Sequence, residues 1–322
     1  MQISVALCTY NGEKFIHQQI DSILNQSLKV DEIVVCDDGS NDKTIEILND
    51  YSKKNPDLFK IHQNEKNLRS VKNFEKAIQL CIGNVIFLSD QDDIWVKEKV
   101  ADYIDYFNKN PHIEVLCSNG YCINEKSKVE EKYSVWDVPQ FLREKNILFS
   151  YYKLITYRAN IATGASMAFK KEILPEKLPF PLLKDFHHDE WIAIISSNKN
   201  TFELLNKKYF YYRIHTNQQV GGVFFDKTRQ IKEILSAIFD INNSNSSFVE
   251  QKKCLKKLSI AYKRNINLLQ LKTKYNYLFQ DNLTQIELTF IEIKEHMKKN
   301  HPIKSTILNI VDRIKNKRQL KN

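Results

Sequence analysis

No run of 18 or more apolar residues occurs in this 322-residue chain, which excludes a membrane-spanning helix of ordinary length. No basic n-region or cleavage site precedes the first apolar stretch at residues 3–7, so a secretory signal is not expected. The six cysteines form no CxxC pair. Cys117 and Cys122, the nearest two, lack a second pair or a histidine cluster at zinc spacing. Cys8, Cys36 and Cys81 sit among apolar neighbours and read as small core residues. A reducing, cytoplasmic setting is therefore expected. No repeat of fixed period is present. What remains is a chain with 42% apolar and 11% aromatic residues, enough to build one large domain or two smaller ones.

The net positive charge is confined to one end. Residues 223–322 carry 20 Lys+Arg against 9 Asp+Glu, leaving 28 against 30 for residues 1–222. The division predicts a near-neutral domain over 1–222 and a lysine-rich helical region over 223–322. Its last stretch, 303–320, sets Ile303, Ile307, Ile310, Val311 and Ile314 on one side among Lys304, Arg313, Lys315, Lys317 and Arg318, the pattern of a basic amphipathic helix. Two readings of this tail stand side by side: a solvated lysine-rich face, or attachment to an anionic membrane surface. Nucleic-acid binding is disfavoured, because the front domain has no basic face and Tyr262, Tyr275 and Tyr277 form no stacking platform.

Strand and helix patterns alternate through the first ninety residues. Residues 2–8, 32–36, 59–63 and 85–88 read as strands, and residues 13–25, 42–53 and 73–81 as helices, with Ser40 or Asn41 a suitable N-cap. Such alternation predicts a parallel sheet wrapped by helices. Further on, a helix is expected over 97–109, strands over 114–117 and 120–123 joined by a turn, loop and short helix over 125–160, a strand over 163–169, a helix from His187 to about Ser197 and a strand over 209–214. In the tail, helices are expected over 227–240, 248–278 and 283–299, with a linker over 242–247.

Two of the early strands end in acids. The run 85–88 is followed at once by Asp90, Asp92 and Asp93, and the run 32–36 by Asp37 and Asp38. Clustered carboxylates repel, and a divalent cation with a preference for oxygen ligands, Mg²⁺ or Mn²⁺, relieves that repulsion. Taken alone, the stretch after residue 88 is equally a solvated acidic turn. In a parallel sheet, however, both emerge along the carboxyl edge where ligands bind, which makes one site of them.

Thr9-Tyr10-Asn11-Gly12-Glu13, Asp37-Asp38-Gly39-Ser40 and Ser89-Asp90-Gln91-Asp92-Asp93-Ile94-Trp95 together resemble the family-2 inverting glycosyltransferases of the GT-A fold. His188-Asp189-Glu190-Trp191 and Tyr212-Arg213-Ile214-His215-Thr216-Asn217 are similar to the subgroup that builds bacterial capsule and O-antigen polysaccharides, rhamnosyltransferases among them. The resemblance covers roughly residues 1–222. It implies an α/β GT-A domain with a C-terminal basic helical extension, a UDP- or dTDP-sugar donor and a lipid-linked glycan acceptor, with the enzyme peripheral at the inner face of the plasma membrane.

The resemblance also implies roles. Thr9, Tyr10, Asn11, Glu13, Asp38 and Asp90 fall on the nucleotide, Asp38 accepting from the base N–H and Asp90 facing the ribose. Asp92 falls on the metal, Mg²⁺ or Mn²⁺, with Asp90 and His215 as further candidates. Asp189 falls where the family places its general base. His188 replaces the commoner acid before it, and Glu190 competes for the role. Arg69 is a candidate phosphate or base contact, or a surface arginine. Trp95, His188 and Trp191 are candidates for the acceptor side, each with a packing alternative. Asp37 or Asp38 could serve instead as a helix cap, and Asp189 as a partner of the helix dipole. A sugar-nucleotide nucleotidyltransferase of the same fold is disfavoured by the lack of a GxGxR-type loop near the N-terminus. A non-catalytic basic scaffold is the third reading.

Overall fold

Strand β1 (Ile3–Thr9) is buried along its whole length, as a central strand covered on both faces must be. In the computed structural model, which describes residues 1–216, 223–241 and 247–320, it is flanked by β2 (Glu32–Asp37) on one side and β4 (Val85–Ser89) on the other, both parallel to it. Strand β3 (Phe59–Gln63) extends the sheet parallel to β2. The crossovers are α1 (Ile16–Leu24), α2 (Thr44–Lys54) and α3 (Arg69–Leu80), each placing an apolar stripe on the sheet. Ile16, Ile20 and Ile23 are fully buried on α1, and Phe74, Ala77 and Ile78 are buried on α3.

The chain continues through β5 (Ile94–Trp95), α4 (Lys99–Lys109), β6 (Val115–Ile123), β7 (Val129–Glu130), β8 (Lys132–Ser134), α5 (Val138–Glu144), α6 (Tyr151–Tyr157), β9 (Ala168–Lys170), α7 (Leu174–Lys177), α8 (His188–Asn198), β10 (Phe202–Arg213) and β11 (Phe224–Asp226), of which β8 and β11 pair with each other in a small antiparallel sheet of their own. Spatial order is β3-β2-β1-β4-β9-β6-β10-β5. β9 runs antiparallel between β4 and β6, β10 runs parallel to β6, and β5 closes antiparallel on β10. The result is a mixed, mainly parallel α/β sheet.

Several expected boundaries move, each for a visible reason. The two strands expected at 114–117 and 120–123 are the single β6. Gly120 serves close packing there: a Cβ would come within 2.7 Å of the Phe210 ring. Residues 163–167 are not strand but a 3-10 turn over Gly164–Ser166, because side chains satisfy its carbonyls: Lys99 Nζ donates to Ala165 O at 2.9 Å and Tyr103 Oη to Ser166 O at 2.7 Å. Strand β10 starts seven residues before its expected position and holds an irregular register with β6. Ser40 does not cap α2; its hydroxyl donates to Asp37.

By compactness the chain forms two units. One comprises Met1–Gln140 with Ile161–Glu233, the other Phe141–Asn160 with Ile234–Asn322. The expected boundary was 222/223; the first unit continues past it, and residues 141–160 group with the second. The second unit contains α10 (Phe248–Leu269), α11 (Asn276–Asn300) and α12 (Pro302–Ile314); α9 (Arg229–Phe239) precedes them. Its core holds Leu255, Leu258, Leu283, Ile286, Ile293 and Leu308. The helix expected to run to residue 278 stops at Leu269, where Asn276 binds back, accepting from Thr273 N and donating to Leu269 O at 2.7 Å. α12 ends at Ile314 because Asn316 and Arg318 take left-handed backbone, not at residue 320. Residues 242–246 of the expected linker, and Asn217 of the motif 212–217, lie outside the described residues.

Candidate active site

Three loops leave the carboxyl ends of β1, β2 and β4 and are stitched to one another. Thr9 Oγ1 donates to Asp37 Oδ2 at 2.8 Å, and Asp38 N donates to Thr9 O at 2.8 Å. Tyr10 exchanges two hydrogen bonds with the Gln91 amide, N to Oε1 at 2.8 Å and O from Nε2 at 2.9 Å. Asn11, left-handed at φ 50°, donates from N to Ser40 Oγ and accepts at Oδ1 from Asn41 N, both 2.8 Å. Glu13 N donates to Asp42, and Glu13 Oε2 accepts from Lys43 N at 2.9 Å. Tyr10, Asn11 and Glu13 are exposed at the rim. This meshwork fixes the loop before any ligand arrives.

The two acids after β2 have separate duties. Asp37 Oδ1 accepts from Gly39 N and Ser40 N at 3.1 and 2.9 Å, which folds the turn back on itself. Asp38 does not cap α2 either. Its buried carboxylate accepts from Asn64 Nδ2 and Leu68 N at Oδ1 and from Arg69 N at Oδ2, at 2.7–2.8 Å. Asp38 thereby pins the 64–69 loop, and Arg69 holds a left-handed φ of 63° with its side chain exposed. One acceptor position on Oδ2 is left after these bonds.

The loop after β4 carries the densest charge. Burial, then the neighbouring Asp92 and Asp189 carboxylates, push the Asp90 carboxyl up to about 7. Asp93 is raised well above the ordinary range by burial, Asp92 and Asp90, and its Oδ2 has no hydrogen-bond partner. Beneath this cluster lies Lys99, fully buried, its Nζ 3.9 Å from the Trp95 ring centroid. Burial lowers its ammonium to about 7 against the opposing pull of Asp93 and Asp90.

The far end of β10 closes over the same loop. Arg213, almost fully buried, donates from N to Asp93 Oδ1 at 3.0 Å and from Nε to Asp92 O at 2.8 Å. Its remaining nitrogens reach Gln18 Oε1, Ser127 Oγ and Asn124 O. Two residues on, His215 Nε2 stands 2.8 Å from Asp92 Oδ2, with its ring against Phe15 at 5.3 Å.

Asp189 enters from the first turn of α8, where the helix dipole favours a carboxylate. Its Oδ2 accepts from Gly164 N at 2.9 Å and its Oδ1 from Glu190 N at 2.6 Å. A Cβ on Gly164 would stand 3.1 Å from His188 Nε2, so glycine permits this approach. Glu190 is buried. Trp95, His188 and Trp191 are all inside the fold: Trp191 Nε1 donates to Lys177 O at 2.9 Å, and His188 stacks on Phe74 at 4.2 Å. These three therefore support the site from within. Lys99, Arg213 and Gly164 carry parts of it that the sequence pattern left without a role.

The residues suit a hard divalent cation. Asp92 Oδ2 and His215 Nε2 lie 2.8 Å apart, close to the roughly 3 Å between adjacent ligands on an octahedral ion with bonds of about 2.1 Å. Burial and the neighbouring Asp92 carboxylate hold Asp90 and Asp93 toward their neutral forms, which a bound cation would reverse, and Asp93 Oδ2 has no hydrogen-bond partner. Among the described residues no group of three or more His, Cys, Asp and Glu side chains forms a ready cage. That is the usual condition of Mg²⁺-type sites, which take one or two carboxylates and leave the rest to substrate phosphates and water.

Residues 4–176 match glycosyl transferase family 2. The chain belongs to that family and is a glycosyltransferase with a GT-A fold. It is similar to a glycosyltransferase of Methanocaldococcus jannaschii, 29% identical over 215 residues, 66% of this chain and 70% of that one. It also resembles the UDP-Glc:α-D-GlcNAc-diphosphoundecaprenol β-1,3-glucosyltransferase of Escherichia coli, 26% identical over 71% of this chain and 83% of that one. A third relative is the dTDP-rhamnosyl transferase of Shigella flexneri, 28% identical over 67% of this chain and 74% of that one. Among solved structures, S. aureus TarS in complex with UDP-GlcNAc superposes with a TM-score of 0.52 at 18% identity, over 91% and 92% of the two chains. The mannosyltransferase of Pyrobaculum calidifontis with GDP-Man and Mn²⁺ gives 0.51 at 13% identity, over 97% and 79%.

Proposed function

We propose that the protein transfers a sugar with inversion from a UDP- or dTDP-sugar to a hydroxyl of a lipid-linked glycan, in bacterial surface-polysaccharide synthesis. The observation that supports this reading is that the Asp90 carboxyl, raised first by burial, also feels the carboxylates of both Asp92 and Asp189. This mutual influence supports a reading in which the carboxylates assigned to the cation and to the acceptor serve one displacement. The relatives named for UDP-glucose and dTDP-rhamnose transfer supply the two donor classes, and the rhamnosyl case is the narrower of the two.

In this reading the loop 9–13, Asp38 through its remaining Oδ2 acceptor position, and Arg69 hold the nucleotide, with Asp90 toward the ribose. Asp92 and His215 hold Mg²⁺ or Mn²⁺, which when bound neutralises the diphosphate as it departs. Arg213 and Lys99 keep the acidic loop in place. Asp189, oriented by Gly164 N–H, accepts the proton of the acceptor hydroxyl. The oxygen then bonds to the anomeric carbon as the carbon–oxygen bond to the diphosphate breaks on the opposite face, and the configuration inverts. General-base assistance of this kind contributes about 10²–10⁴-fold. A lipid-borne acceptor places the enzyme peripherally at the inner face of the plasma membrane, on its basic C-terminal helices.

Calorimetric titration of UDP and dTDP, with and without Mn²⁺, on wild type and Asp92→Ala tests the donor half. Metal-dependent binding of one nucleotide, lost in the variant, is expected. A folded wild type that binds neither in the presence of metal would overturn the reading.

A further inference from the structure

Helix α12 sits on its unit the wrong way round for an ordinary surface helix. Its buried residues are Ser305, Leu308 and Asp312, which at 100° per residue lie together on one side. The opposite side carries Ile303, Ile307, Ile310 and Ile314, exposed by 76%, 57%, 55% and 77%. A surface helix normally turns its apolar stripe inward; this one turns a narrow, mostly polar stripe inward and offers four isoleucines to its surroundings. The only acid on the helix, Asp312, is buried and paired with Arg318, whose Nε donates to it at 3.0 Å. Arg318 is thereby withdrawn from the cationic set. Lys304 and Arg313, about a quarter turn to either side of the stripe, and Lys315 and Lys317 beyond it are all exposed.

We propose that this face of α12 lies in the surface of an anionic bilayer, the four isoleucines entering the headgroup–acyl boundary and Lys304, Arg313, Lys315 and Lys317 meeting acidic headgroups. Thirteen residues span about 20 Å, too short to cross a bilayer and suited to lying in its plane. A second copy fits less well. An isologous antiparallel contact would bring Lys304 of one copy toward Arg313 of the other, like charge against like, and four side chains fall short of the 20–30 residues a stable interface engages on each side. The proposal rests on the reading that the enzyme works at a membrane, but it uses none of the residues assigned to donor or acceptor. Nucleotide binding in solution and vesicle binding therefore report on the two separately.

The test is co-sedimentation of the full chain with vesicles of phosphatidylcholine, alone or mixed with phosphatidylglycerol, for wild type, Ile307→Glu/Ile310→Glu and Lys304→Glu/Arg313→Glu. Wild type is expected to bind the anionic vesicles only, and less as salt rises. The isoleucine variant should bind at least about tenfold more weakly. The charge variant should lose about fivefold or more for each basic residue removed. UDP or dTDP binding and the melting curve are expected to be unchanged in both, since the substituted side chains already face solvent. Equal binding to neutral vesicles, isoleucine or charge variants that sediment like wild type, or a dimer in light scattering that Ile307→Glu/Ile310→Glu dissolves would each overturn the proposal. Loss of nucleotide binding with vesicle binding intact would instead remove the catalytic reading and leave this one standing.

Discussion

His215 and Asp92, 123 positions apart, bring an imidazole nitrogen and a carboxylate oxygen to within 2.8 Å of each other. The ring is held against Phe15 and the strand end behind it is fixed by Arg213. If this pair holds the cation, His215→Ala should weaken metal-assisted nucleotide binding about 10–100-fold while metal-independent binding stays the same. Calorimetry with and without Mn²⁺ separates the two. An equal loss in both conditions would make His215 a loop support only.

Arg213 joins more of the site than any acid in it. Its guanidinium serves Asp92 O, Gln18, Ser127 and Asn124 together, and a lysine cannot reproduce that planar fork. Arg213→Lys should cost about 3 kcal/mol, in the range found on breaking buried charged networks, and lower the melting temperature by several degrees. Because Asp92 and His215 hang from the same arginine, metal-assisted nucleotide binding should fall with it. A variant with wild-type melting and binding would show the network to be redundant.

Asp189 and Glu190 are adjacent, yet only Asp189 appears among the charges acting on Asp90, and only its carboxylate accepts from Gly164 N. Asp189→Asn keeps the shape and removes the base. Transfer should drop about 10²–10⁴-fold with nucleotide binding retained. Glu190→Gln should leave the rate within about tenfold. A reversal of these two results, measured as turnover with a donor and acceptor pair, would move the base to Glu190.

Much of the first ninety residues was legible because local and global signals agree there. Each of β1, β2 and β4 is buried on both faces and therefore reads as a continuous apolar run ending in a polar turn. The acids could be placed on one edge for the same reason. What was not legible depends on partners distant in the chain. Lys99 looks like a surface residue at a helix start, but it is buried among the Trp95 and Phe210 rings and donates to Ala165 O, 66 positions away. Gly120 reads as the start of a separate strand until the Phe210 ring is seen against it within the single β6. Ser40 reads as a helix cap but serves Asp37 and Asn11. In α12 the isoleucine stripe was plain from its spacing, whereas the side it faces depends on Leu308 and Asp312 finding the unit's core first.

His188 gives the protein an acid sensitivity with a definite sign. The ring lies between Phe74 and Phe180 with neither nitrogen hydrogen-bonded, and burial depresses its protonation to about 4. The unfolded chain, near the ordinary 6.5, then binds the proton more readily than the folded one. The stabilisation is complete above pH 6.5 and is lost as pH falls from there through about 4, by about 3 kcal/mol at most. His188→Leu keeps an apolar side chain between the two rings and cannot take up a proton. Melting temperatures of wild type and variant should therefore diverge as pH falls below 6.5, with the variant increasingly favoured by about 2–4 °C for each kcal/mol lost. Parallel curves over that window would mean that His188 finds a proton acceptor or solvent on acidification, and that its burial carries no linkage to folding.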